Sequence, residues 1–180
     1  QTGPRCSGPC KKGHFCPLQT IEPKMCPAGT YCQGYDVTGT RGATAALPCP
    51  EGTYSNATKV SSPGDCIGCP VGSSCSTGST SHIPCTPGTI APANNSNRCD
   101  PCLAGTYQDA SGKAACKTCP AGSFCQTGSS APLPCPAGTF SSDTGLGAPS
   151  ECTAADAGSF ATIGSKVQRP CPKGSFTNVA

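Results

Sequence analysis

A six-residue unit, C-x-x-G-x-aromatic, recurs along the chain and sets the spacing of its 18 cysteines. It occurs as Cys10-KKGHF, Cys26-PAGTY, Cys49-PEGTY, Cys102-LAGTY, Cys119-PAGSF, Cys135-PAGTF and Cys171-PKGSF. Cys69-PVGSS and Cys85-TPGTI repeat the unit with the aromatic residue replaced. Shifting the chain by 50 residues also superposes Cys66, Cys69, Cys75 and Cys85 on Cys116, Cys119, Cys125 and Cys135. Self-similarity at a fixed period predicts tandem copies of one small module.

The composition excludes one large apolar core. The 180 residues include 23 Gly, 20 Pro, one Met and no Trp, and only 5% are aromatic. A chain of this size normally hides most of its surface behind aliphatic and aromatic side chains, so another stabiliser is needed. Cysteine at this density is typical of secreted proteins that replace burial by disulfides.

Within each unit, the residue types favour a tight turn. Proline after the cysteine fixes φ, and glycine suits the end of the turn. We expect the aromatic residue to cover the neighbouring disulfide and the turn. Eight of the nine aromatic residues occupy this position. They are Phe15, Tyr31, Tyr54, Tyr107, Phe124, Phe140, Phe160 and Phe176.

Zinc is the alternative to disulfides. Cys99-x2-Cys102 followed by Cys116-x2-Cys119 has the spacing of a four-thiolate site. The same CxxC steps recur inside a larger repeat that contains many further cysteines, which favours a disulfide framework and no cofactor.

The cysteines form short loops, closed six positions on, and long loops, closed 14 to 17 positions on. One internal comparison suggests which cysteines pair, because Ala155 and Ala161 replace both cysteines of one short loop. A paired loss is expected if the two sulfurs bond each other. A rival scheme with crossed pairs, such as Cys69–Cys85 with Cys75–Cys99, remains open. The local scheme predicts Cys10–Cys16, Cys26–Cys32, Cys49–Cys66, Cys69–Cys75, Cys85–Cys99, Cys102–Cys116, Cys119–Cys125 and Cys135–Cys152. Cys6 and Cys171 are left over, which suggests a fragment of a longer array.

We therefore predict a small disulfide-rich fold, an elongated rod of tandem cysteine-rich modules with short β-hairpins and little or no helix. Its segments are 6–48, which holds short-loop modules and the insertion 33–48, two cysteine-rich repeats at 49–101 and 102–154, and a degenerate module with the start of the next at 155–180. The insertion carries Tyr35 and Arg41 and is the first candidate if any loop makes a specific contact. The alternative, which we favour, is a mobile surface loop.

The pattern C-P-x-G-[TS]-[YF]-x(8–12)-C-x-x-C resembles the cysteine-rich repeat of ephrin-receptor-like and tumour-necrosis-factor-receptor-like ectodomains. The short form resembles repeats in large surface proteins of algae and protists, including mastigoneme-type glycoproteins of flagellar hairs. The resemblance covers residues 6–180. It implies an extracellular rod, used as a receptor stalk or as a filament subunit.

Neither catalysis nor nucleic-acid binding is indicated. His14 and His82 are the only histidines, and neither has an acidic neighbour in the sequence or a plausible nucleophile with a supporting base. The net charge of +3 is too dilute for a nucleic-acid surface, and no apolar run is long enough to span a membrane. Asn56 and Asn94 begin N-glycosylation sequons.

Two functions fit these observations. The first is an extracellular structural protein, a subunit or stalk of a glycosylated cell-surface filament. Its partners are other copies or the remainder of a longer chain, together with attached glycans. The alternative is a ligand-binding cysteine-rich ectodomain of a receptor or adhesin. Receptor repeats of this type vary the charge and aromatic residues of their long loops to form a ligand-binding face. The long loops here have few charges and no aromatic residue outside the repeat position, which favours the first function.

Overall fold

The computed structural model describes residues 10–18, 20–34 and 42–177. These residues form eighteen two-residue strands and two 3-10 turns, Pro63–Asp65 and Pro149–Glu151. The strands are His14–Phe15 (β1), Lys24–Met25 (β2), Thr30–Tyr31 (β3), Leu47–Pro48 (β4), Thr53–Tyr54 (β5), Ile67–Gly68 (β6), Ser73–Ser74 (β7), Ile83–Pro84 (β8), Thr89–Ile90 (β9), Asp100–Pro101 (β10), Thr106–Tyr107 (β11), Lys117–Thr118 (β12), Ser123–Phe124 (β13), Leu133–Pro134 (β14), Thr139–Phe140 (β15), Thr153–Ala154 (β16), Ser159–Phe160 (β17) and Arg169–Pro170 (β18).

Each odd-numbered strand pairs with the strand that follows it, giving nine two-stranded sheets. The first strand always holds the fourth and fifth residues after the first residue of the repeat unit. The second strand ends immediately before the next unit begins. Nine modules result, and we number them in chain order: 10–25, 26–48, 49–68, 69–84, 85–101, 102–118, 119–134, 135–154 and 155–170.

The hairpins are antiparallel and have one register. In the seventh module Ser123 pairs with Pro134 and Phe124 with Leu133. In the ninth, Ser159 pairs with Pro170 and Phe160 with Arg169. The prediction of a small disulfide-rich fold with short hairpins and almost no helix is confirmed.

The chain divides into two compact units. One comprises the described residues of Gln1–Ile83 together with Ala93–Arg98. The other comprises those of Pro84–Pro92 and Cys99–Ala180. The loop of the fifth module thus belongs to the first unit, although its disulfide belongs to the second.

Sulfur occupies the interior of both units. Cys26, Cys32 and Cys49 are completely buried in the first, and Cys119 and Cys135 in the second. Ile83, Leu103 and Ile163, in contrast, are largely exposed. Few large aliphatic side chains are therefore buried among the described residues, as the composition predicts.

Candidate functional site

Eight disulfides join the cysteines, with Cα–Cα distances between 5.6 Å and 6.1 Å. They bring together the two members of each pair in the local scheme, and none of the crossed pairs. Cys171 forms no disulfide with a described residue, and Cys6 lies outside the described residues. The bonded pairs are Cys10–Cys16, Cys26–Cys32, Cys49–Cys66, Cys69–Cys75, Cys85–Cys99, Cys102–Cys116, Cys119–Cys125 and Cys135–Cys152.

These disulfides include all four cysteines that would have formed the alternative zinc site. Cys99 bonds Cys85, Cys102 bonds Cys116, and Cys119 bonds Cys125. A disulfide sulfur is not a thiolate ligand, so this CxxC pattern has no metal-binding thiolates left. No cluster of three or more potential metal ligands occurs within the described ranges.

Modules with a short disulfide loop differ from modules with a long one at the residue six positions after the first residue of the module, which we call the sixth position. In short modules this residue is the closing cysteine, and in the others it is a smaller or polar residue that is still buried. Gln108 is 2% exposed, and its side chain is satisfied locally, because Nε2 donates to the Ala115 carbonyl at 2.6 Å and Oε1 accepts from the Ala110 N–H at 3.1 Å. The other buried residues at this position are Ser55, Ala91, Ser141 and Ala161. Sequence reasoning missed this position, although its recurrent spacing is visible.

Within each unit, backbone hydrogen bonds of one kind join a module to its successor. The glycine N–H of the turn donates to the carbonyl of the buried sixth position of the next module, as from Gly29 to Ser55 at 2.7 Å. The glycine carbonyl accepts in return from the first N–H of that module, as from Cys49 at 2.9 Å. The glycine-to-carbonyl pairs are Gly13–Cys32, Gly29–Ser55, Gly52–Cys75, Gly88–Gln108, Gly105–Cys125, Gly122–Ser141 and Gly138–Ala161.

A second set of bonds comes from a residue with left-handed backbone in the loop of the following module. Its N–H donates to the carbonyl of the preceding module's first residue, at 2.8–2.9 Å. The residue is glycine except at Lys59 and Asn95, whose φ angles are 63° and 61°. The donor–acceptor pairs are Lys59–Cys26, Gly78–Cys49, Asn95–Cys69, Gly112–Cys85, Gly128–Cys102, Gly145–Cys119 and Gly164–Cys135.

The turn glycines also approach the module two places further on. A Cβ placed on Gly29 would lie 2.4 Å from the carbonyl oxygen of Gly78, and one on Gly122 would lie 2.4 Å from that of Gly164. Non-bonded carbon and oxygen atoms do not approach so closely, so only glycine fits at these positions. Within each unit the modules therefore stack through direct backbone–backbone contacts.

Two of the aromatic residues, Phe124 and Tyr31, pack on the disulfide of the following module. Phe124 is 8% exposed and packs with Leu146 and the Cys135–Cys152 pair. Tyr31 packs in the same way against Val60 and the Cys49–Cys66 pair. The neighbouring disulfide expected from the sequence is therefore the one in the next module. Phe176 is 81% exposed.

Both sequon asparagines are exposed. The Asn94 side-chain oxygen accepts from the Val71 N–H at 3.1 Å, which orients its amide on the fourth module. Asn56 follows the buried Ser55. Of the insertion 33–48, residues 35–41, with Tyr35 and Arg41, lie outside the described residues.

Both histidines contact nearby groups in the described part of the chain. His82 Nδ1 lies 3.1 Å from Ser73 Oγ, and its ring meets Tyr54 edge-on with centroids 5.6 Å apart. His14 Nδ1 lies 3.2 Å from the Lys12 carbonyl oxygen. Each histidine therefore has a local structural contact.

Lys117 Nζ lies 2.7 Å and 2.9 Å from the two carboxylate oxygens of Asp109. This hydrogen bond, aided by the lysine charge, lowers the pKa of Asp109 and raises that of Lys117. Both groups are exposed, so the pair contributes little to stability.

The ninth module has an open cleft. It encloses about 380 Å³ and is lined by Phe160, Thr162, Ser165, Lys166 and Arg169, among others. The corresponding loop of the seventh module, Cys125–Pro134, carries no charge.

Residues 88–132 match the family model described as "Tyrosine-protein kinase ephrin type A/B receptor-like". A search of curated proteins finds no significant match to the chain. The family match and the tandem disulfide modules together show that the chain carries ephrin-receptor-like cysteine-rich repeats, a domain of extracellular type. No helix among the described residues is long and apolar enough to cross a membrane.

Proposed function

We propose that this chain is an extracellular structural protein, a subunit or stalk of a glycosylated cell-surface filament. The observation that carries the proposal is the series of module-to-module backbone hydrogen bonds, which repeats within each of the two units and is reinforced by a disulfide in eight of the nine modules. Stacks in which each module contacts its near neighbours suit extended, quasi-one-dimensional assemblies. The resemblance to repeats of flagellar-hair glycoproteins supports the same function.

Glycans are part of this proposal. Asn56 and Asn94 are exposed and belong to sequons, and exposed aliphatic residues such as Ile67 and Ile83 leave much of the surface weakly polar. Attached sugar supplies polarity that a chain with 12% charged residues provides sparingly. The glycans and other copies, or the remainder of a longer chain, are the proposed partners outside the cell.

Negative-stain electron microscopy of the oxidised, glycosylated protein tests the proposal. We expect elongated particles that associate into regular fibres as the concentration rises. The matched control is the reduced and alkylated chain, which should give neither. Compact monomers at every concentration would contradict the proposed filament.

The alternative function is a ligand-binding cysteine-rich ectodomain of a receptor or adhesin. Two observations favour it, the family description and the cationic cleft of the ninth module. Capture of a soluble partner that is lost on Lys166→Ser/Arg169→Leu, with no fibres formed, supports this alternative. These substitutions install the residues of the seventh module.

A further inference from the structure

The ninth module keeps the hairpin fold without any disulfide. Ala155 and Ala161 stand where the seventh module has Cys119 and Cys125. The Ser159 N–H still donates to the Asp156 carbonyl at 2.9 Å, closing the same turn as in the modules with cysteine. The backbone hydrogen bonds to the eighth module are also kept, as from the Ala155 N–H to the Gly138 carbonyl at 2.9 Å. A side-chain interaction is added to them at the start of this module.

Two side-chain hydrogen bonds supply that interaction. The Asp156 N–H donates to Gln168 Oε1 at 2.7 Å, and Gln168 Nε2 donates to Asp156 Oδ2. We call this reciprocal pair the Asp156–Gln168 clip. It joins the beginning of the module to the base of its second strand.

The clip occupies the position of a long-type disulfide. Gln168 lies three residues before the next unit, where the long modules carry Cys66, Cys99, Cys116 and Cys152. Those cysteines bond the first residue of their module, whereas Gln168 bonds the second. The seventh module has proline at both corresponding positions, Pro120 and Pro132, so it has neither the N–H nor the amide that the clip needs.

We propose that the ninth module is a reversible joint, which opens and recloses without disulfide chemistry while the disulfide-bonded modules remain closed. Asp156 is exposed and Gln168 is half-buried, so water competes for both hydrogen bonds of the clip. A disulfide persists until it is reduced. Hydrogen bonds of this kind break and re-form spontaneously, and the least stable segments of a fold open first.

The absence of a disulfide within the ninth module sets how far the opened joint can extend. Residues 153–170, between Cys152 and Cys171, contain no internal cross-link, and fully extended they span about 60 Å. The use of this reach as an extensible joint rests on the proposed filament function, whereas the local opening does not.

Native-state hydrogen exchange, followed peptide by peptide in the oxidised chain, tests the opening. Amides of residues 156–169 should exchange faster than those of 120–133 in the seventh module. The variant Ala155→Cys/Ala161→Cys should slow exchange in 156–169 by about 50-fold once mass spectrometry confirms the new bond, because a seven-residue loop is then closed. Gln168→Ala should accelerate it by about 5- to 10-fold.

The seventh module provides the deciding control, since it lies inside the array. Cys119→Ala/Cys125→Ala should accelerate exchange there, and adding Pro120→Asp/Pro132→Gln should restore about 5- to 10-fold of the protection. The proposal is overturned if 156–169 exchanges as slowly as 120–133, or if neither Gln168→Ala nor the transplanted pair changes protection. Hydrogen exchange in a single chain does not depend on fibre formation. A negative exchange result would therefore refute the joint, whereas the absence of fibres in electron microscopy would refute the proposed filament.

Discussion

The substitutions Gly29→Ala and Gly138→Ala would separate two reasons why the turn position requires glycine. One reason is its left-handed backbone, and the other is the close approach of the module two places further on. Both residues lie in a C-P-A-G sequence, and both have left-handed backbone, with φ angles of 77° and 83°. A Cβ on Gly29 would lie 2.4 Å from the Gly78 carbonyl oxygen, whereas one on Gly138 would have no described atom within 4 Å. The two substitutions therefore share the backbone cost and differ in steric overlap.

The shared cost is about 1–2 kcal/mol for a left-handed alanine, partly offset by the lower entropy of the unfolded chain. Relief of the overlap at Gly29 requires the Gly78 carbonyl to move by roughly 1 Å, because ordinary contacts begin near 3.4 Å. That shift disturbs the bond from the Gly78 N–H to the Cys49 carbonyl, 2.9 Å long. We expect a further cost of about 1–3 kcal/mol for Gly29→Ala alone.

Denaturant unfolding with the disulfides intact measures this difference, and hydrogen exchange around residues 26–34 and 75–80 locates it. Gly29→Ala should lower the midpoint clearly more than Gly138→Ala and accelerate exchange in the fourth module as well as the second. Equal destabilisation by the two variants would refute the close approach of modules two places apart.

Four other measurements follow from the structure. Reduction should unfold the chain and abolish its protease resistance, because seven-residue and 18-residue disulfide loops stabilise by about 2.4 and 3.2 kcal/mol each; a reduced chain that resists protease contradicts this. Peptide mapping without reduction should recover Cys69–Cys75 and Cys85–Cys99, whereas recovery of Cys69–Cys85 would support crossed pairing. In a secretory host, Asn56→Gln and Asn94→Gln should each remove one glycan, and unchanged mass in both would refute glycosylation. Lys117→Ala should raise the pKa of Asp109 in an NMR titration, because the hydrogen bond that depresses it is lost; the small stabilisation is present above the ordinary carboxyl pKa and disappears as pH falls through the depressed one.

The sequence predicts the hairpins because their signals are local. Cysteine, proline and glycine at fixed offsets specify the turn before β3, where the Thr30 N–H donates to the Pro27 carbonyl at 3.2 Å. The paired loss at Ala155 and Ala161 also carries information about connectivity. The fold class follows from these signals alone.

The contacts between modules could not be predicted in the same way. They are made by backbone groups, such as the Lys59 N–H and the Cys26 carbonyl, which every residue type possesses. Lys59 and Asn95 further obscure the pattern, since side chains other than glycine occupy its left-handed position there. The faint signal in the other modules is a loop glycine nine or ten residues after the first residue of the module.

The buried sixth position explains how one fold accepts two disulfide arrangements. Its N–H donates to the next module and its carbonyl accepts from the preceding one whatever the side chain, as at Cys125 and Ser141. Its side chain points into a space that a half-cystine, serine, alanine or glutamine can fill. The hairpin also brings the residue just before its second strand close to the first residue of the module. A cysteine just before the second strand therefore closes the module as well as a cysteine at the sixth position does. The disulfide thus stabilises a fold that the backbone already defines, and a module can exchange one cross-link for another, or for the Asp156–Gln168 clip, without disturbing its neighbours.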